Sequence, residues 1–131
     1  MSFDRRALLT LAAALLLLRP TAARAAAMQP FDAAAFQAAQ AAGGPVLVHV
    51  TAPWCGTCRA QKPVVAELLA APEFGGFAAF EVDYDRQEDA RKALGVDRQS
   101  TMVVFKGKAE TARAIGQVDP AAIADLLRTA L

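Results

Sequence analysis

The sequence predicts an α/β fold: a four-stranded mixed β-sheet with helices on both faces, forming one domain over residues 28–131. Three observations carry this. Runs rich in β-branched and aromatic residues, VLVHVT at 46–51, FAAFEVDYD at 77–85 and TMVVFK at 101–106, alternate with stretches of helical spacing. A strand–helix–strand unit needs a crossover, which is almost always right-handed and makes its two strands parallel neighbours. The last two strands meet at Gly107-Lys108, a tight antiparallel hairpin.

The first 27 residues stand apart from this domain. Arg5 and Arg6 precede a twelve-residue, largely apolar run from Ala7 to Leu18, and small residues follow through Ala25, Ala26 and Ala27, the layout of a secretory signal. Twelve residues are too few to cross a bilayer, which takes roughly 20, so release rather than anchoring is expected. Cleavage fits best after Ala27, and Ala25 also satisfies the small-x-small rule. DRRALL resembles a twin-arginine export signal as well. Either route ends outside the cytoplasm, in a periplasmic or otherwise exported location. No cysteine lies near the cleavage region, so a lipid anchor is not expected.

Within the domain, Phe31 and Phe36 flank Asp32 as a hydrophobic staple around an N-cap, opening an alanine-rich helix that stops at Gly43-Gly44. VLVHVT reads as a strand with both faces buried except at His49. After the cysteines, helical spacing runs through Ala60, Val64, Leu68 and Leu69 until Pro72. Pro63 inside this helix should kink it by removing the bond to the Arg59 carbonyl. FAAFEVDYD alternates Phe80, Val82 and Tyr84 against Glu81, Asp83 and Asp85 as the next strand. Asp85 and Glu88 should then cap a helix that ends at Leu94, with Gly95 as its stop. After the hairpin, Asp119 as N-cap and Pro120 at the first helical position start the last helix.

Charge narrows the partners. The chain is formally +1, but beyond residue 27 it holds ten basic and twelve acidic side chains, formally −2 and interspersed. That leaves no electrostatic footprint for nucleic acid or anionic lipid, and no stable membrane insertion is expected once the signal is removed.

The chemistry concentrates in TAPWCGTCRAQKP, residues 51–63, which contains both cysteines and the only tryptophan. A CxxC pair serves as half a zinc site, as a haem attachment point or as a redox dithiol. Haem attachment needs a histidine after the second cysteine, where this chain has Arg59. Structural zinc needs four ligands, and the chain offers two cysteines and one histidine. An inert disulfide explains the pair poorly, because closing so short a loop removes little unfolded-state entropy. A dithiol at the carboxyl end of a strand and the start of a helix is the remaining reading. Free N–H groups and the positive helix end favour a thiolate at Cys55, and Cys58, one turn later, is placed to resolve a mixed disulfide.

These residues resemble the active site of the thioredoxin family, whose signature is Trp-Cys-Gly-Pro-Cys followed by a basic residue. Pro63 resembles the family's kink proline, VVFKGK its third core strand and hairpin, and Gly116 the glycine lining its substrate groove. The likeness covers about residues 31–131. Three positions depart from the pattern: Thr57 replaces the proline between the cysteines, His49 stands where the family buries an aspartate, and Ser100 stands where it places a cis-proline. A cis bond before a non-proline residue costs roughly 2.5–4 kcal/mol, so the Gln99–Ser100 bond should be trans. Thr57 restores a backbone N–H and adds a hydroxyl able to stabilise the Cys55 thiolate.

The resemblance implies a reaction in which Cys55 attacks a substrate disulfide and Cys58 releases the reduced product. Trp54, Ser100 and Gly116 would surround the groove, unless Trp54 only packs on the surface. His49 would be the base for Cys58, or alternatively a buried neutral histidine satisfied by a backbone partner. The redox-active Cys55/Cys58 disulfide would be the only redox group, with protein disulfides or thiols as substrates. Small size and closeness to thioredoxin favour a reductant fed by a membrane electron carrier. The alternatives are a thiol oxidase linked to a quinone-dependent oxidant, or a carrier binding metal or a cluster through Cys55, Cys58 and His49.

Overall fold

The computed structural model describes residues 26–131. Residues 1–25, which hold most of the expected leader, lie outside the described residues. The sheet has five strands rather than four: β1 (Met28–Pro30), β2 (Pro45–Thr51), β3 (Ala78–Asp83), β4 (Thr101–Lys106) and β5 (Ala109–Ile115), in the spatial order β1-β3-β2-β4-β5. β2 and β3 are parallel, β4 runs antiparallel to β2, and β5 to β4. The added strand is β1, three residues parallel to β3 on the sheet edge, where a proline such as Pro30 is tolerated.

Among the described residues four α-helices cover both faces: α1 (Ala33–Ala41), α2 (Gly56–Ala70), α3 (Glu88–Ala93) and α4 (Pro120–Arg128). On one face, Val65 and Leu69 of α2 and Ile123 and Leu127 of α4 pack on Leu47, Ala79, Met102 and Val104. On the other, Phe36 of α1 meets Val46, Val48, Phe80, Val103 and Phe105, with Leu94 and Ala90 against them. Phe31 and Phe36 touch as expected, at 5.3 Å between ring centroids.

The caps separate local from non-local control. Asp32 accepts from Ala35 N at 2.9 Å and Asp119 from Ala122 N at 3.0 Å, so α1 and α4 begin where their sequences indicate. α3 does not. Asp83 Oδ1 accepts the N–H groups of Asp85 and Arg86, and this turn delays the helix until Glu88, with Gln87 in the cap position. The Gln87 side chain then bridges Asp83 N and Phe31 O. α2 contains Pro63 and ends before Pro72, which opens a short 3-10 turn, Pro72–Phe74.

Candidate active site

The cysteine turn joins the end of β2 to the start of α2. Cys55 is the N-cap: its Sγ accepts the Cys58 N–H at 3.1 Å, and its own N–H bonds to Ala52 O. The two cysteines form a disulfide with Cα atoms 5.3 Å apart. Both cysteines are buried, Cys58 at 0% exposed and Cys55 at 5%, so of the two only Cys55 reaches the surface. The side chain of exposed Thr57 makes no hydrogen bond among the described residues, so the Cys58 amide, rather than the Thr57 hydroxyl, is the donor to Cys55.

Strand register brings the other expected residues to this end of the sheet. Val50 pairs with Thr101 and Thr101 with Ile115, so the segments carrying Ser100 and Gly116 adjoin the end of β2. Gly116 N donates to Ser100 O at 2.9 Å. The Gln99–Ser100 bond is trans, and Ser100 has φ of 57°, the only positive value among described non-glycine residues. Gly116 has φ of 71°, and an added Cβ would meet nothing within 4 Å, so backbone conformation rather than space calls for glycine.

Trp54 is 56% exposed. Its Nε1 donates to Asp85 at 2.8 Å, and its ring stands edge-on to Tyr84, over which the Arg91 guanidinium lies 4.2 Å from the centroid. Ile115 and Val118 add exposed apolar surface next to Gly116. Neither was evident beforehand; a lone isoleucine ending the polar strand β5 was the available signal.

His49 departs from the strand reading in being buried, as the alternative of a buried neutral ring had it, and departs from that alternative in its partner. It is buried like the rest of β2, and its partner is a side chain rather than the backbone: Nε2 lies 2.8 Å from Gln61 Oε1. Burial pulls its pKa below the ordinary 6.5, the Gln61 hydrogen bond and the Glu81 carboxylate push back, and the Lys62 charge adds to the lowering. The ring is therefore neutral at pH 7 and able to take a proton. Beside it on β3, Glu81 is bonded by Lys62 at 2.8 Å and by the Thr51 hydroxyl. Burial pushes the Glu81 carboxyl up, but those hydrogen bonds, with the charges of Lys62 and His49, outweigh it and hold the group below its ordinary value.

Among the described residues no group of three or more His, Cys, Asp or Glu is placed to hold a metal ion. No described helix is long and apolar enough to cross a membrane.

The Thioredoxin family model matches residues 27–129. Thioredoxin Asp f 29 of Aspergillus fumigatus is 34% identical over 82 residues, 63% of this chain and 74% of that protein. An H-type thioredoxin of Fagopyrum esculentum is 36% identical over 81 residues, covering 62% and 68%. Among solved structures, Trxlp from Edwardsiella tarda superposes with a TM-score of 0.75 at 38% identity, over 77% of this chain and 98% of that one. With a disulfide-forming CxxC at the N-cap of α2 and a family match over nearly all the described residues, this chain belongs to the thioredoxin family and is a thiol–disulfide oxidoreductase.

Proposed function

We propose that the protein is an exported reductant of protein disulfides, with Cys55 as nucleophile, Cys58 as resolving thiol and His49 as its base. The observation that carries this is the Cys58 N–H on Cys55 Sγ at the helix N-cap, which favours negative charge on that sulfur over the other. The Cys55 thiolate attacks a substrate disulfide, forming one S–S bond and releasing one substrate thiolate. His49 takes the Cys58 proton, and the Cys58 thiolate attacks Cys55 Sγ. The second substrate thiolate leaves, and two electrons have passed to the substrate as the Cys55–Cys58 disulfide closes. No further cofactor enters this cycle.

Trp54, Ser100 and Gly116 line the docking groove, with Ile115 and Val118 at its rim. The leader-like residues 1–27 support export, and the thioredoxins among its relatives support reduction. In an oxidising compartment the dithiol must be regenerated, and a dithiol carrier in the membrane is the class of donor that fits.

Cys58→Ser should accumulate mixed disulfides through Cys55, and Cys55→Ser should lose turnover. Alkylation of the exported protein in cells should find it reduced, and oxidised when electron supply across the membrane is removed. A pair that rests oxidised in cells, with client thiols left unpaired on its deletion, would identify an oxidase instead.

A further inference from the structure

We propose that Gln61 is a positioning residue for disulfide exchange: its amide locks His49 in the Nε2–H tautomer and ties the ring to the backbone segments carrying Ser100 and Gly116. The role rests on His49 acting as the base for Cys58.

Gln61 lies on α2 one turn beyond Cys58 and is 0% exposed, a place where an amide is costly unless satisfied. It is satisfied at both ends. Nε2 donates to Ser100 O at 3.1 Å and to Gln117 O at 2.9 Å, while Oε1 faces His49 Nε2 at 2.8 Å. Backbone carbonyls only accept, so they determine which end of the amide is nitrogen; reversing it would set its oxygen against two others. The oxygen facing His49 can only accept as well. His49 Nε2 therefore carries the hydrogen, and the lone pair of the neutral ring is on Nδ1.

The consequence is directional. A proton taken during exchange arrives at Nδ1, and the Nε2–H bond to Gln61 persists in both the neutral and the charged ring. The other groups facing the ring are Glu81 from β3, Lys62 from α2 and uncharged Met102, its register partner on β4. Lys62 and Glu81 pair with each other, which leaves Gln61 as the ring's direct hydrogen-bond partner and a support for its charged form.

The chain contains one histidine, so ¹⁵N-labelled protein gives one imidazole to observe. In long-range ¹H–¹⁵N spectra above the ring's titration, wild type should show protonated Nε2 and unprotonated Nδ1. Gln61→Met should lose this single-tautomer pattern and move the ring's titration, and the matching limb of the exchange rate, to lower pH. Gln61→Glu keeps an acceptor oxygen for His49 Nε2–H but sets its second oxygen against the Ser100 and Gln117 carbonyls, so it should recover the tautomer and move the titration upward while lowering stability. A wild-type Nδ1–H tautomer, or wild-type spectra and pH profile in Gln61→Met, would overturn the proposal. The wild-type spectrum decides the tautomer even where a variant does not fold. An unchanged exchange profile in His49→Asn would instead overturn the base reading, and with it the catalytic meaning of the clamp, while the spectra still decide the clamp itself.

Discussion

Replacing Ser100 by glycine should stabilise the protein. Ser100 holds φ of 57°, a left-handed conformation that costs a residue with a Cβ about 1–2 kcal/mol. Its side chain offsets little, since the Ser100 hydroxyl makes no hydrogen bond to another described residue. The bonds that matter go to its carbonyl, from Gln61 and from Gly116 N, and glycine keeps both. Glycine's greater freedom in the unfolded chain takes back roughly 0.5–1 kcal/mol. The net gain is centred on ~0.75 kcal/mol, a Tm rise of roughly 3–6 °C for a domain of about a hundred residues. Ser100→Ala keeps the backbone penalty and should stay within about 0.5 kcal/mol of wild type. Calorimetry and urea denaturation of the three oxidised proteins test this. A glycine variant no more stable than the alanine variant would refute the assignment of strain to this position.

Thr57→Pro removes one of the free amides at the start of α2 but leaves the Cys58 N–H on Cys55, so the pair should become more reducing by about 20 mV, equivalent to ~1 kcal/mol of thiolate stabilisation; an unchanged or raised potential in a glutathione buffer counts against it. His49 titrates below its ordinary 6.5 when folded, so as pH falls under 6.5 the unfolded chain takes a proton that the folded one refuses, and stability declines until the folded midpoint is reached. His49→Gln should flatten that part of the stability curve; urea titrations at pH 7.5 and 5.5 with equal differences in both proteins would contradict it. Trp54→Ala removes exposed surface held by Asp85 and Tyr84, so KM for protein disulfides should rise several-fold while stability changes by less than about 1 kcal/mol; a large loss of stability with unaltered KM would make Trp54 a packing residue.

What was legible in the sequence rests on short-range spacing and on the handedness of one crossover. The caps at Asp32 and Asp119, the hairpin at Gly107, the parallel β2–β3 unit and the placement of Cys55 and Cys58 at a strand–helix junction all follow from these. Tertiary structure decided what depends on residues far apart in the chain. β1 is three residues long and carries no periodic signal; it exists because the edge of β3 offers backbone partners and Ala26 and Met28 pack on the core. The α3 start moved because Asp83 used its carboxylate on the preceding turn and Gln87, in the cap position, is held by the Phe31 carbonyl 56 positions away. Gln61 reads as an ordinary polar helix residue until folding carries it to His49, Ser100 and Gln117, which lie 12, 39 and 56 positions away. No periodicity records such a meeting, because a buried amide is stable only once its distant partners have been brought around it.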